Sequence, residues 1–206
     1  MRSVPTLTPH AIPPGSLARI TQPDLAADGG LLLRPWTPAD ACALTSLYAD
    51  PDIRHWHMFT IDTQDEALEV IEHWRQRWLA ETGAHWAVTA HPDGEPAGRI
   101  GLRAMDTRQG IAEVIYSTTP AFRGQGIAPA ALEALTSWAF SAGFHRLFLR
   151  HSAENPASCR VAAKSGFTAE GTERGSGLHT DGWHDMHLHA RITDRQAPIP
   201  TASKGC

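Results

Sequence analysis

Six residues in the middle of the chain, Arg123-Gly124-Gln125-Gly126-Ile127-Ala128, combine two glycines, one basic side chain and the first apolar position of a helical repeat. Glycine admits positive φ and leaves the backbone bare. A helix beginning at such a turn aims its orphan N–H groups, and the positive end of its dipole, back into the turn. That arrangement cradles anions, phosphate above all. The expected donors are the main-chain N–H groups from Phe122 through Ala128, with the Arg123 guanidinium adding fixed charge beside them. A second stretch, Arg54-His55-Trp56-His57-Met58-Phe59, is aromatic and polar at once, a composition suited either to lining a pocket or to capping the core. A third, His184-Asp185-Met186-His187-Leu188-His189, is rich in metal-ligand types. On a strand it places His187 and His189 on one face and His184 on the other, which divides the ligands, so no metal is expected.

The elements that must position these groups can be read from periodicity and turn chemistry. Ile111 to Ser117 alternates as a strand and runs directly into the glycine turn, and Ile127, Ala131, Ala134, Leu135 and Trp138 then mark one face of a helix ending at Gly143. Pro129 falls in the first turn, where a missing N–H is harmless. Leu147-Phe148-Leu149 reads as a central strand, and strand, helix, strand in that order implies a parallel pair with a right-handed crossover. Upstream, Leu31 to Trp36 reads as a strand. One helix opens at Thr37-Pro38 and stops at Asp50-Pro51, and a second opens at Asp62-Thr63 with Leu68, Ile71, Trp74 and Trp78 on its apolar stripe. Trp86 to Ala90 and Ile100 to Ala104 form a hairpin about His91-Pro92-Asp93-Gly94. Downstream, Asn155-Pro156 opens a helix that Lys164-Ser165-Gly166 closes. Strands follow from Phe167 to Glu173 and from Trp183 to Ile192, with a mobile loop from Arg174 to Gly182 between them. The fold class is α/β (α+β): one domain over 30–192, with a mixed, mostly antiparallel twisted sheet flanked by helices. An irregular arm over 1–29, with a short strand at Leu17 to Thr21, precedes it, and a flexible tail over 193–206 follows.

Bulk properties narrow the function. With 206 residues the chain can bury one ordinary core. A formal charge of -4, with 18 basic and 22 acidic residues interspersed, gives no footprint for nucleic acid. Three cysteines, Cys42, Cys159 and Cys206, have no paired spacing, which points to a reducing compartment rather than a disulfide framework. No apolar run reaches the roughly 18 residues of a membrane span. These features lead us to expect a cytoplasmic protein with neither membrane nor nucleic-acid partners, as a monomer or homodimer.

The ordered set Arg123-Gly124-Gln125-Gly126-Ile127-Ala128, then Asn155-Pro156-Ala157-Ser158, then Gly166-Phe167 resembles the GCN5-related N-acetyltransferase (GNAT) superfamily. It is most similar to the group that acetylates ribosomal protein N-termini (RimJ/RimL-like). The resemblance covers roughly Leu31 to Ile192 and implies a splayed central parallel strand pair, acetyl-coenzyme A as cosubstrate and transfer of acetyl to a primary amine by direct attack. It implies that Phe122, Arg123, Gly124, Gln125, Gly126, Ile127 and Ala128 hold the coenzyme pyrophosphate. Ile115 and Tyr116 would pair with the pantetheine arm through their backbones, one N–H facing the thioester oxygen, and Asn155 would contact the same arm. The tyrosine with which many members protonate the departing thiolate is absent, Ala162 standing in its place, and Ser158 is the substitute the resemblance implies. For the base, Glu113 is the first candidate because it shares strand parity with Ile115 and Ser117, His57 is the second, and water alone is a third. Trp56, His57 and Phe59 would roof the acceptor pocket. The acceptor could be a peptide N-terminus, a polyamine or a small metabolite, and a non-catalytic acyl-coenzyme A-binding or partner-binding module is the alternative.

Overall fold

The computed structural model describes residues 8–90 and 94–193. The turn expected at His91-Pro92-Asp93 and the tail beyond 193 lie outside the described residues. Among the described residues, eight strands form one sheet in the order β1-β2-β3-β4-β5-β6-β8-β7. They are β1 (Leu25–Ala27), β2 (Leu31–Pro35), β3 (Gly83–Thr89), β4 (Gly98–Asp106), β5 (Ile111–Thr118), β6 (Arg146–Ser152), β7 (Thr168–His179) and β8 (Gly182–Ile192). Five α-helices accompany them: α1 (Ala41–Ala49), α2 (Pro51–Trp56), α3 (Gln64–Leu79), α4 (Ile127–Ser141) and α5 (Pro156–Lys164). Only β5 and β6 run parallel among the described pairs, joined by α4 as the strand-helix-strand order requires.

Local chemistry accounts for the helix starts. Thr63 and Glu66 cap α3 reciprocally: the Thr63 hydroxyl accepts from the Glu66 N–H at 3.2 Å, and the Glu66 carboxylate accepts from the Thr63 N–H at 3.1 Å. Asp50-Pro51, expected only to stop a helix, also starts one. The Asp50 carboxylate accepts from the Ile53 N–H at 3.0 Å, and Pro51 occupies the first helical position, so α2 takes up Arg54, His55 and Trp56 before the loop begins at His57.

Both faces of the sheet are covered. On one, Leu33, Trp86, Ile100, Leu102, Val114, Leu147 and Leu149 pack against Ala131, Leu132 and Leu135 of α4 and Ala162 of α5. On the other, Ala87 meets Leu44, Leu47 and Tyr48 of α1 and Ile71 and Trp74 of α3. Every residue of β3 is accordingly buried.

Two segments depart from the sequence expectation. No strand forms over Leu17 to Thr21, because Glu81 captures that stretch with hydrogen bonds from the Gly15, Leu17 and Ala18 N–H groups at 2.7, 2.7 and 3.2 Å. The strand forms at Leu25–Ala27 instead, where Gly29 and Gly30 at φ 76° and 74° let the chain reverse and pair with β2. The mobile loop expected from Arg174 to Gly182 is mostly strand. β7 continues to His179 through a register shift between Glu173 and Gly177, and pairing with β8 outweighs the local signal of the glycines.

Candidate functional site

The glycine turn has the geometry that its sequence implies. Gly124 and Gly126 sit at φ 76° and 80°, and a Cβ placed on either would meet no atom within 4 Å, so the space beside the backbone is open. Gly126 caps α4 without any side-chain hydrogen bond. The first-turn N–H groups of Ile127 and Ala128 therefore point out of the helix end, and Pro129 contributes none. The donor set is narrower than expected. The Phe122 N–H donates to the Thr119 carbonyl at 2.9 Å and the Arg123 N–H to the Pro120 carbonyl at 3.2 Å, which leaves Gly124 to Ala128 to face an anion. The Arg123 guanidinium is also engaged, paired with Asp50 and, at 2.7 Å, with Asp52 at the start of α2. It fastens α2 to the turn. Gln125 folds back onto the Ala121 carbonyl at 2.9 Å.

β5 pairs with β6 only through Ile111, Ala112 and Glu113, while on its other edge it stays paired with β4 as far as Thr118. From Val114 onward the β6-facing edge of β5 is therefore unpaired backbone, with Ile115 and Tyr116 within it, and the gap opens toward the glycine turn. The first turn of α5 closes the same region. Asn155 caps the helix, its side-chain oxygen accepting from the Ser158 N–H at 3.0 Å. The Tyr116 hydroxyl donates to the Ser158 carbonyl at 3.2 Å, and burial pushes the Tyr116 phenol up to about 12, so it stays protonated. The Ser158 hydroxyl, half-exposed, makes no hydrogen bond among the described residues. The Tyr116 side chain as a tether for Ser158 was missed in the sequence. Its parity, opposite to Glu113 and on the α5 face, was the available signal.

The opposite face of β5 carries the candidate bases. Glu113, 3% exposed, is held by Arg103 through two hydrogen bonds of 2.8 and 2.7 Å, and its Oε1 also lies 3.3 Å from Arg150. Burial alone would raise its pKa, but the hydrogen bonds and charge of Arg103, with Arg150 behind, hold it below the usual carboxylate range. A carboxylate so engaged binds a proton weakly, which weighs against Glu113 as the base. His57 lies on the same side of β5. Its Nε2 lies 3.1 Å from the Ser117 hydroxyl, and its ring makes edge contacts with Tyr48 and Phe59. Burial, reinforced by Arg99, Arg103 and His179, depresses its pKa to about 3, so the imidazole is neutral across the working range. Beside it lies a feature not anticipated from the sequence: Arg99, 2% exposed, donates to the Tyr48 hydroxyl at 2.5 Å and lies 5.4 Å from the ring centroids of both Tyr48 and Trp74.

The stretch expected to roof the acceptor pocket meets the β7–β8 turn. His55 Nε2 is 3.8 Å from Asp181, and the Trp56 ring lies 5.8 Å from His179 and 6.2 Å from His184. Phe59 stacks on Tyr48 at 5.4 Å with about half its surface exposed. Behind them Asp181, His184 and Ser152 form a hydrogen-bonded row, at 3.0 Å from His184 Nε2 to Asp181 and 2.7 Å from His184 Nδ1 to the Ser152 hydroxyl.

A family profile described as an acetyltransferase (GNAT) domain matches residues 30–168. Among curated proteins, an uncharacterized N-acetyltransferase, YoaA of Bacillus subtilis (strain 168), is 24% identical over 168 residues, which is 81% of this chain and 95% of that protein. The ribosomal-protein-serine acetyltransferase of Escherichia coli (strain K12) is 32% identical over 105 residues, 50% of this chain and 59% of that protein. Among solved structures, RimL, a ribosomal L7/L12 alpha-N-protein acetyltransferase in complex with coenzyme A, superposes with a TM-score of 0.76 at 22% identity, covering 84% of this chain and 99% of that one. No helix among the described residues is long and apolar enough to cross a membrane.

Proposed function

Since the chain belongs to the acetyltransferase (GNAT) family, we propose that it transfers an acetyl group from acetyl-coenzyme A to a primary amine by direct attack within a ternary complex. The observation that carries this reading is the juxtaposition of an open, glycine-lined helix N-terminus with an unpaired strand edge. The first suits a pyrophosphate, the second an extended amide-bearing arm, and the two are consecutive in the chain. In this reading the N–H groups of Gly124 to Ala128 hold the pyrophosphate. The β5 edge at Ile115 and Tyr116 aligns the thioester, and one of its N–H groups stabilises the oxygen that becomes negative as the amine attacks.

The acid and base follow from the same geometry. Ser158, with its hydroxyl free and its backbone pinned by Asn155 and Tyr116, supplies a proton to the departing thiolate. Ser158→Ala is expected to lower kcat by about tenfold to a hundredfold with little change in coenzyme affinity. Steady-state rates and a coenzyme titration on the same preparation check this, and an unchanged kcat removes Ser158 from the role. His57, neutral and anchored to Ser117, accepts a hydrogen bond from the incoming amine, whose proton passes to water as the C–N bond forms and the C–S bond breaks, and water restores the proton that Ser158 gives the thiolate. The pH dependence of kcat/KM is therefore expected to follow the pKa of the acceptor amine, with no separate inflection between pH 5 and 8 from an imidazole. Profiles for two amines of different basicity test this, and an inflection near 6.5 common to both would contradict it.

The acceptor that fits best is a peptide α-amine entering between α2 and the β7–β8 turn, over Trp56 and Phe59. The names of the ribosomal-protein acetyltransferase relatives favour it. Initial rates over a matrix of acetyl-coenzyme A and peptide concentrations test the reaction order. Intersecting reciprocal plots support a ternary complex, parallel plots indicate an acyl-enzyme, and coenzyme binding without turnover on any amine supports the non-catalytic module.

A further inference from the structure

The stretch His184 to His189 was expected to hold no metal because its own histidines divide between two faces. The fold adds two ligands from elsewhere to one of those faces. β6 and β8 pair so that His151 lies directly opposite His187, and His189, two residues along β8, shares that side of the sheet. α5 crosses the same side and brings Cys159, with its Sγ 4.0 Å from His189 Nε2. Taking one ligand atom from each of His151, Cys159, His187 and His189, all four lie within 4.8 Å of one another.

The hydrogen bonding around the cluster is what a ligand set needs. His151, 7% exposed, has its Nδ1 2.8 Å from the Ser152 carbonyl, which can only accept. The neutral ring therefore carries its proton on Nδ1 and presents a bare lone pair on Nε2. That Nε2 is buried and has no hydrogen-bond partner among the described residues. The same holds for Nδ1 of His189, which is 3% exposed. Buried polar atoms left unpaired are rare, and the bare Nε2 of His151, within a cluster of histidines and a thiol, calls for a partner. A main-chain carbonyl fixing one imidazole nitrogen so that the other is free is the usual outer support of a metal-bound histidine.

We propose that His151, Cys159, His187 and His189 form a four-coordinate site for a zinc-class divalent ion that clamps α5 onto β6 and β8. Three imidazoles and one thiolate are borderline-soft donors suited to zinc. Four protein ligands leave no open position, which makes the site structural rather than catalytic. Zinc bonds of about 2.0 to 2.3 Å place tetrahedral ligand atoms about 3.3 to 3.8 Å apart, so the set closes by roughly 1 Å through side-chain rotation. Cys159 coordinates as the thiolate, its proton passing to solvent, and the histidines coordinate through ring-nitrogen lone pairs. His187 and Cys159, both half-buried, leave a path for the ion. The ion would hold the turn that carries Asn155 and Ser158, yet the proposal stands on the cluster alone and does not depend on the acetyl-transfer reading.

The test uses the full chain without an affinity tag, stripped with a chelator and dialysed. Zinc titration is expected to show one equivalent bound and a raised Tm, and cobalt to give tetrahedral absorption bands with a thiolate charge-transfer band in the near ultraviolet. Cys159→Ser should abolish the charge-transfer band and weaken zinc binding by at least tenfold. His187→Ala should weaken zinc binding to a similar degree, and Cys42→Ser should match the parent. His187→Ala, at a half-buried strand position, carries the test if Cys159→Ser does not fold. Equal zinc affinity in the parent and either ligand variant, or bound cobalt without a thiolate band, overturns the proposal.

Discussion

Gly126→Val is expected to raise the KM for acetyl-coenzyme A by about a hundredfold while lowering Tm by only a few degrees. Two effects of unequal size underlie this. A β-branched residue held at φ 80° is strained by about 1 to 2 kcal/mol, which for a chain of this size lowers Tm modestly. The larger effect is on the proposed cradle: the new side chain fills space that is open beside Gly126, where in that reading phosphate oxygens approach the N–H groups of Ile127 and Ala128. Losing two charge-assisted hydrogen bonds at about 1.5 kcal/mol or more each accounts for the hundredfold. Steady-state kinetics combined with coenzyme-dependent thermal shifts check it. The parent should be stabilised by coenzyme A and the variant should not. An unchanged KM would place the coenzyme somewhere other than this turn.

Glu113→Ala is expected to destabilise the fold by about 2 to 3 kcal/mol at neutral pH, because it leaves Arg103 and Arg150 facing each other across the sheet without their shared carboxylate. Removing one partner of a fully buried pair costs about 3 to 5 kcal/mol, and the smaller figure reflects guanidinium groups that are roughly 40% exposed. Pairing with Arg103 depresses the Glu113 pKa. Its stabilisation is therefore fully present above the unfolded carboxyl pKa of about 4.3 and is lost as pH falls through the lower folded value. Parent and variant should converge in stability in that acid range. Denaturant unfolding at several pH values measures this. Kinetics on Glu113→Gln separate the structural role from the catalytic one: the structural account predicts reduced stability with turnover per folded molecule within a few-fold of the parent. A catalytic base would show the reverse.

What could be read from the sequence was local. The glycine turn, the caps of α3 and α5 and the strand β5 rest on short-range patterns, and each appears where its residues imply. The parallel β5–β6 pair was equally accessible, because strand, helix, strand in that order admits few topologies. What failed to show was non-local. Glu113 has the parity expected of a residue facing the acceptor, but no pattern reveals that Arg103 lies opposite it on β4 and Arg150 on β6. Nor does any pattern reveal that Arg123 pairs with Asp50 and Asp52, some seventy positions away. The histidines of β8 looked divided because His151 and Cys159 join them only when β6 and α5 are laid alongside. Gly175 and Gly177 signal a loop locally, whereas pairing with β8 carries the strand through them.

Acetyl transfer itself is tested most directly by incubating the full chain with acetyl-coenzyme A and a peptide bearing a free α-amine, measuring released thiol and acetylated peptide in the same reaction. The predicted result is equimolar thiol and N-acetyl peptide, formed by the parent and reduced in parallel for both products by Gly126→Val. Thiol release with no acetylated amine on any peptide, polyamine or small amine supplied, or equal yields from parent and variant, would contradict it.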